Sequence, residues 1–269
     1  MNNKSITLKY RRWFKGMPPQ PVKLKIPGWT GCDKTHQNGS KPQPWHCKPF
    51  MDGVNYGLEL IYPFENETRV YWKKDKLVFD GQFGEEAVWE SSEQRMQTGG
   101  SPPMMNFAPG HYGMTSSLDL EPEEGYVFRI EPHPSYYTVD DDTMPLIVPA
   151  NIERWWSRVF FVVFKAPRKD QVHVFTKHMP YAHLLVVPEK VKINVKEMTL
   201  GEQKGRENRE KIISNNGKKI ATNDWYDHQG NNFDDKYAIL KREYYYNGKE
   251  GFNEKLTELM RGCPYHNKK

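Results

Sequence analysis

Residues 124–188 read EGYVFRIEPHPSYYTVDDDTMPLIVPANIERWWSRVFFVVFKAPRKDQVHVFTKHMPYAHLLVVP, and this stretch carries the strongest structural signal in the chain. Its apolar runs are rich in β-branched and aromatic residues, and proline, aspartate or lysine interrupts each run before a helix of three turns could form. Such runs are typical of short antiparallel strands. The pattern predicts strands at Tyr126–Glu131, Leu146–Val148, Arg158–Lys165, Gln171–Thr176 and His183–Val187.

Strand signals also precede this stretch. Apolar and polar residues alternate in YGLELIYPF, residues 56–64, as expected for a strand with two different faces. TRVYW and KLVFD, residues 68–72 and 76–80, predict a hairpin joined through Lys73–Asp75. The continuous apolar run Val159–Phe164 predicts a strand that is covered on both faces.

Helical signals begin only near the C-terminus. Thr199 and Glu202 have the spacing of a capping box, in which a hydroxyl and a carboxylate each satisfy a free backbone N–H at a helix start. This predicts a polar helix that extends to about Ser214 and is stopped by Asn-Asn-Gly at 215–217. A final helix presents an apolar stripe that is typical of a packing face, formed by Phe252, Leu256, Leu259 and Met260.

These signals predict a mainly β chain: an antiparallel β-sandwich, β-clip or jelly-roll-like domain with a helical C-terminal extension. We assign residues 1–43 to an extended N-terminal arm, 44–195 to the β-rich domain and 196–269 to the helical extension. With 269 residues, 37% of them hydrophobic and 13% aromatic, the chain can bury a sizeable core that contains many aromatic side chains.

Charge and cysteine content limit the partners and the compartment. The net charge of +5 is spread among mixed Lys, Arg, Asp and Glu, and no nucleic-acid-reading motif is visible, which argues against nucleic acid as a partner. No signal peptide or membrane-spanning run is visible. Three cysteines, an odd number spread over a long chain, argue against a disulfide framework, so we expect a cytoplasmic protein, or a virion component if a phage encodes it.

Two groups of residues are candidate metal ligands. Two histidines and a carboxylate can hold iron(II), although Pro132 interrupts the strand that would present two of these ligands, His133, His183 and Glu131. Two thiols and two imidazoles could form a structural zinc site, although their spacing is not that of a known finger, at Cys32, His36, His46 and Cys47. A divalent metal therefore remains open as a cofactor, with hydrogen-bonded histidines and an ordinary loop as the alternatives.

An aromatic and basic segment is the candidate binding surface. Trp155 and Trp156 supply flat apolar faces, while Arg154 and Arg158 supply guanidinium groups that pair with anions. In a strand, only one of the two tryptophans can face the core. The other then lies at a subunit interface or in a binding cleft, and the enrichment of tryptophan and arginine at protein interfaces favours the interface.

Residues Pro44 to Pro188 resemble a family of uncharacterised tailed-phage and proteobacterial proteins. The resemblance follows the succession HCKPFMDGVNYGLELIYPFE, GYVFRIEPHPSYYT, a Pro-x-x-x-Pro turn, IERWW and MPYAHLLVVP. It implies a phage-type origin and a β-rich fold. The helical C-terminal region lies outside it.

A more distant resemblance is to the β-clip of the trimeric dUTP pyrophosphatases, carried by EEGYVFRI, EPHPSYY, PANIERWW and TKHMPYAHLLVVP. In that family a Ser-rich loop binds phosphates and an Asp in an acidic turn orients water. The resemblance implies catalytic roles for Ser135 and for Glu153, which stands where the family has the Asp. The glycine-rich C-terminal clamp is absent, and Lys177, His178 and Met179 replace the usual Gly-Asp-Arg entry to the last strand.

The sequence favours a non-catalytic binding or assembly protein of phage type that forms a homo-oligomer or binds a virion or host protein. The alternative is a nucleotide-directed, pyrophosphatase-like or metal-dependent enzyme on a β scaffold. Phosphate-binding glycine loops and nucleophile elbows are not recognisable in the sequence, which weighs against the commonest enzyme classes.

Overall fold

The computed structural model describes residues 5–12, 16–24, 48–81, 103–137, 143–222, 224–226 and 232–261. The chain divides into two compact units. A β unit takes its described residues from 4–25 and 54–191, and a helical unit takes them from 26–53 and 192–269. No helix among the described residues is both long enough and apolar enough to span a membrane.

The strands, numbered in chain order, are β1 Leu8–Arg12, β2 Gln20–Pro21, β3 Leu58–Ile61, β4 Thr68–Lys73, β5 Lys76–Gly81, β6 Met104–Ala108, β7 His111–Thr115, β8 Leu118–Pro122, β9 Tyr126–Pro132, β10 Ala150–Ile152, β11 Phe161–Lys165, β12 His173–Phe175, β13 Pro180–Pro188, β14 Asp224–Tyr226 and β15 Asn232–Asp234. The helices are α1 Lys48–Val54, α2 Leu200–Asn215, α3 Gly217–Ile220 and α4 Lys236–Arg261, and a 3-10 turn covers Pro134–Tyr137.

The strand pairings are antiparallel. Five strands form the largest sheet, in the order β10-β9-β13-β3-β2. Two three-stranded sheets have the orders β11-β7-β6 and β12-β4-β5, and β1 pairs with β8. The chain is therefore mainly β with antiparallel sheets and C-terminal helices, as the sequence predicted.

Aromatic side chains form the centre of the β unit. The ring of Tyr112 stacks on Phe164 with centroids 5.1 Å apart, and Tyr62 stacks on Phe175 at 5.6 Å. These four rings are fully buried, as is Tyr181 within 6.5 Å of Phe175. Burial raises the pKa of Tyr62 to about 12, because the charged phenolate would lose its hydration.

Several predicted strands occupy shorter segments than the sequence indicates. The strand predicted at Arg158–Lys165 begins only at Phe161, and Leu146–Val148 contributes a bridge from Ile147 to Phe164. The run Val159–Phe164 is not covered evenly on both faces, since Val162 and Phe164 are buried and Phe161 is half-buried. The turn residues around Trp155 shorten the strand at its N-terminal end.

The helical unit confirms the predicted helix start. The Thr199 hydroxyl accepts the N–H of Glu202 at 3.3 Å, and the Glu202 carboxylate accepts the N–H of Thr199 at 2.7 Å. α2 ends at Asn215, as predicted. α4 is interrupted at Gly248, whose φ of 68° and ψ of −170° are not helical. Leu256 of the predicted apolar stripe is buried.

Candidate functional site

The paired tryptophans lie in an exposed turn. β10 lies at the edge of the five-stranded sheet and ends at Ile152, and the N–H of Trp156 donates to the carbonyl of Glu153 at 3.0 Å. Trp155 is 73% exposed and Trp156 is 38% exposed. The expectation that one of them faces the core is wrong, because the chain leaves the sheet before it reaches them.

Neighbouring arginines hold this turn and extend its surface. Arg154 donates from Nε to the carbonyl of Pro122 at 3.2 Å and forms an ion pair with Glu121 at 2.8 Å, which ties the turn to β8. The guanidinium of Arg158 lies 5.8 Å from the ring centroid of Trp156. The two indoles meet edge to face, with centroids 5.8 Å apart. Arg154 therefore positions the turn, while Arg158 and the indoles are presented together.

A second polar group crosses the five-stranded sheet. The register places Glu131 of β9 opposite His183 of β13, and His183 opposite Glu59 of β3, which in turn faces Gln20 of β2. Directly paired residues project to the same face of a sheet. Four strands therefore contribute one polar row. Glu59 carries no local sequence signal of this role, since only the strand order brings it to the histidines.

His133 closes this row from the turn after β9. The N–H of Ser135 donates to His133 Nδ1 at 3.2 Å, and the Ser135 hydroxyl lies 2.7 Å from the same nitrogen. Nδ1 is thus the unprotonated nitrogen, and Nε2 carries the proton that it donates to Glu59 Oε2 at 3.2 Å. The imidazole is only 1% exposed, so these bonds satisfy a buried polar group.

A backbone carbonyl holds the second histidine of the row, His183. Its Nε2 donates to the carbonyl of Tyr56, and burial lowers the pKa of the imidazole, against the opposing effect of that hydrogen bond. Gly57 makes this approach possible. It has a φ of +92°, and a Cβ atom there would lie 2.7 Å from Leu185 Cδ2 and 3.1 Å from His183 Nε2.

The predicted metal ligands are engaged in these other interactions. Both nitrogens of His133 have protein partners, and Glu131 pairs with Arg129 at 2.6 Å. Within the described ranges, no group of three or more His, Cys, Asp or Glu side chains is arranged to hold a metal ion. The proposed zinc ligands fall outside those ranges, so that hypothesis stays a prediction for Cys32, His36, His46 and Cys47.

The two residues assigned catalytic roles by resemblance are not brought together. Glu153 follows Ile152, which pairs with Phe128 near the start of β9, while Ser135 follows the other end of that strand. Phe128 and Pro132 are four residues apart in β9, which corresponds to roughly 13 Å along the strand. Within one chain, this register does not bring Glu153 and Ser135 together.

Comparison with known proteins gives distant structural similarities alone. No family model matches the sequence, and the search of curated proteins finds no match either. The chain is similar to the dUTPase from phage phi11 of S. aureus, with a TM-score of 0.34 and 10% identity over 71% of this chain and 96% of that one. A point mutant of that dUTPase gives a TM-score of 0.27 and 12% identity over 35% and 76% of the two chains.

Proposed function

We propose that this protein is a non-catalytic binding or assembly protein that associates with copies of itself through the turn of Trp155 and Trp156. The observation that carries the proposal is the exposure of two adjacent indoles on a turn that is fixed to the sheet. Large exposed aromatic side chains mark interaction surfaces more often than isolated exposed aliphatic residues do.

The energetics of the turn support this role. At 73% and 38% exposure, the indoles leave roughly 250 Å² of aromatic surface in water, and its burial would supply on the order of 6 kcal/mol before the costs of association. The ion pair of Arg154 with Glu121 fixes the turn before binding. Less conformational entropy is then lost when a partner covers the indoles.

The proposal is tested by measuring the molar mass over a concentration series with light scattering. We expect the protein to exceed its monomer mass of 31.7 kDa, and the double variant Trp155→Ala/Trp156→Ala to return to that mass. Tyr246→Ala is the control, because Tyr246 is 82% exposed on α4. Equal association of the wild-type protein and the double variant would contradict the proposal.

A hydrolytic enzyme is the second candidate, and one observation favours it. Ser135, His133 and Glu59 form a hydroxyl–imidazole–carboxylate series, in which the imidazole could accept the hydroxyl proton. The burial of His133 and the N–H that Ser135 also donates to Nδ1 favour a structural role instead. Labelling of Ser135 by a fluorophosphonate, lost in Ser135→Ala and His133→Ala, would support the enzyme.

Metal analysis of the purified protein tests the metal-dependent form of this alternative. A stoichiometric divalent ion that is lost in His133→Ala and His183→Ala would favour it over the binding role. Metal retained in both variants but lost in Cys47→Ser would instead indicate the structural zinc site.

A further inference from the structure

A groove of about 940 Å³ lies between two hairpins of the β unit. One wall is the β4–β5 hairpin, residues 72–79, and the other is the β6–β7 hairpin, residues 104–111. None of its lining residues belongs to the turn of Trp155 or to the polar row around His133. The groove is therefore a separate candidate site.

Positive charge is concentrated on the first wall. Lys73 and Lys76 face each other directly across the hairpin, and Lys74 lies in the turn between them. Asp75 lies in the same turn and pairs with Lys169 at 2.6 Å. Lys74 and Lys76 are exposed, so their ammonium groups are accessible to an anion in the groove.

The hairpin turn has an unusual residue, lysine, at a position with left-handed backbone. Lys74 and Asp75 have φ values of 48° and 61°, the left-handed region that a two-residue type I′ turn requires. Asn-Gly is the usual sequence for such a turn, because asparagine and glycine adopt the left-handed region readily. Lysine is strained in that region. Non-glycine residues in this conformation cluster at active sites and ligand contacts, which supports a binding role for the Lys74 side chain.

The second wall supplies aromatic and apolar surface. Phe107 is 55% exposed and Met105 is 37% exposed, and both line the groove. Phe107 is held over Gly113, where a Cβ atom would lie 3.2 Å from the ring. On the first wall, the indole N–H of Trp72 donates to the carbonyl of Pro167 at 2.7 Å, which fixes that ring beside the lysines.

We infer that this groove binds single-stranded nucleic acid. Lysines contact the phosphates, and Phe107 offers a face on which a base stacks, the combination that sequence-tolerant single-strand binding uses. An acidic peptide would match the charge but would not need the exposed aromatic ring. The net charge of +5 over the whole chain argued against a nucleic-acid partner. A whole-chain value does not reveal local groups of charge, such as the three lysines within residues 73–76.

The inference is tested with a fluorescein-labelled twelve-nucleotide oligothymidine and fluorescence anisotropy on the full chain. We expect a Kd of about 1–100 µM at physiological salt, which is the range of non-specific binding. If three phosphates are neutralised, the affinity should fall roughly twentyfold between 50 and 200 mM salt. The same strand in a duplex should bind more weakly, since its bases cannot stack on Phe107.

Variants separate charge, stacking and folding. Lys74→Glu/Lys76→Glu should weaken binding at least tenfold and flatten the salt dependence, while Phe107→Ala should weaken it without changing the salt dependence. The thermal midpoints of these variants should stay near that of the wild-type protein, so that a loss of binding cannot be attributed to unfolding. Lys23→Glu is the charge control from outside the groove and should bind as the wild-type protein does.

Three results would overturn the inference. One is no binding by the wild-type protein at 50 mM salt, and another is unchanged binding by Lys74→Glu/Lys76→Glu. The third is equal competition by a poly-glutamate peptide of matched charge or by thymidine monophosphate, which would assign the groove to acidic peptides or to free nucleotides.

Discussion

Lowering the pH should destabilise the β unit through His173. This imidazole is 5% exposed, its Nδ1 lies 2.9 Å from the Tyr112 hydroxyl, and burial lowers its pKa from 6.5 to about 4. Between these two values the unfolded chain binds a proton that the folded chain excludes. The stability is therefore fully present above pH 6.5 and is lost as the pH falls towards 4.

The magnitude follows from the two pKa values. At pH 7 the ionisation of His173 changes the free energy of unfolding very little, whereas at pH 4.5 it removes about 2.5 kcal/mol. Burial lowers the pKa of His183 as well, so its protonation acts in the same direction. A comparison of variants must therefore isolate His173 from the other titrating groups.

The assay is urea denaturation at pH 7 and pH 4.5 of the wild-type protein and of His173→Phe/Tyr112→Phe. The double variant removes the titrating ring together with the hydroxyl that it contacts, so no buried hydroxyl is left without its partner. We expect the wild-type protein to lose about 2 kcal/mol more between the two pH values than the variant loses. Equal losses would refute the assignment of His173 as a buried neutral imidazole.

Two further substitutions test the packing of the polar row by urea denaturation. Gly57→Ala should destabilise the protein by roughly 3 kcal/mol or more, because the added Cβ clashes with Leu185 in a backbone that already has a positive φ. Gly125→Ala is the control, because Gly125 has a φ of +81° but open space around it, and it should cost about 1–2 kcal/mol. Equal costs would contradict the close approach at Gly57. Glu59→Ala should lower the free energy of unfolding by about 1–3 kcal/mol, because it removes the acceptor of the buried His133 N–H. Glu59→Gln retains an acceptor and should lower it by less. Equal losses in the two variants would show that this hydrogen bond does not contribute to stability.

Local signals predicted the structure best. The capping box of Thr199 and Glu202 depends on residues three positions apart, and the structure confirms it. Local patterns also predicted the hairpin of β4 and β5 and the strands β9 and β13, but not β1, β6, β7 or β8. The mainly β fold with C-terminal helices follows from these local patterns.

Features that depend on strand order could not be predicted in the same way. Glu59 and His133 are 74 positions apart, and only their places on either side of β13 bring them together. Trp155 and Trp156 lie between two predicted strands, and local sequence patterns could not show that both indoles would be exposed. The turn at Lys74 carries no glycine or asparagine signal, and its left-handed backbone is visible only in the structure.

Photo-crosslinking at residue 155 tests the proposed assembly most directly. A photoreactive phenylalanine analogue replaces Trp155, which is 73% exposed, and the same analogue in place of Tyr246 provides the control. We predict a product of twice the 31.7 kDa chain mass, in which mass spectrometry links residue 155 to a second copy of the β unit. A crosslinked dimer that forms equally from both positions, or that does not form from residue 155, would contradict assembly through this turn.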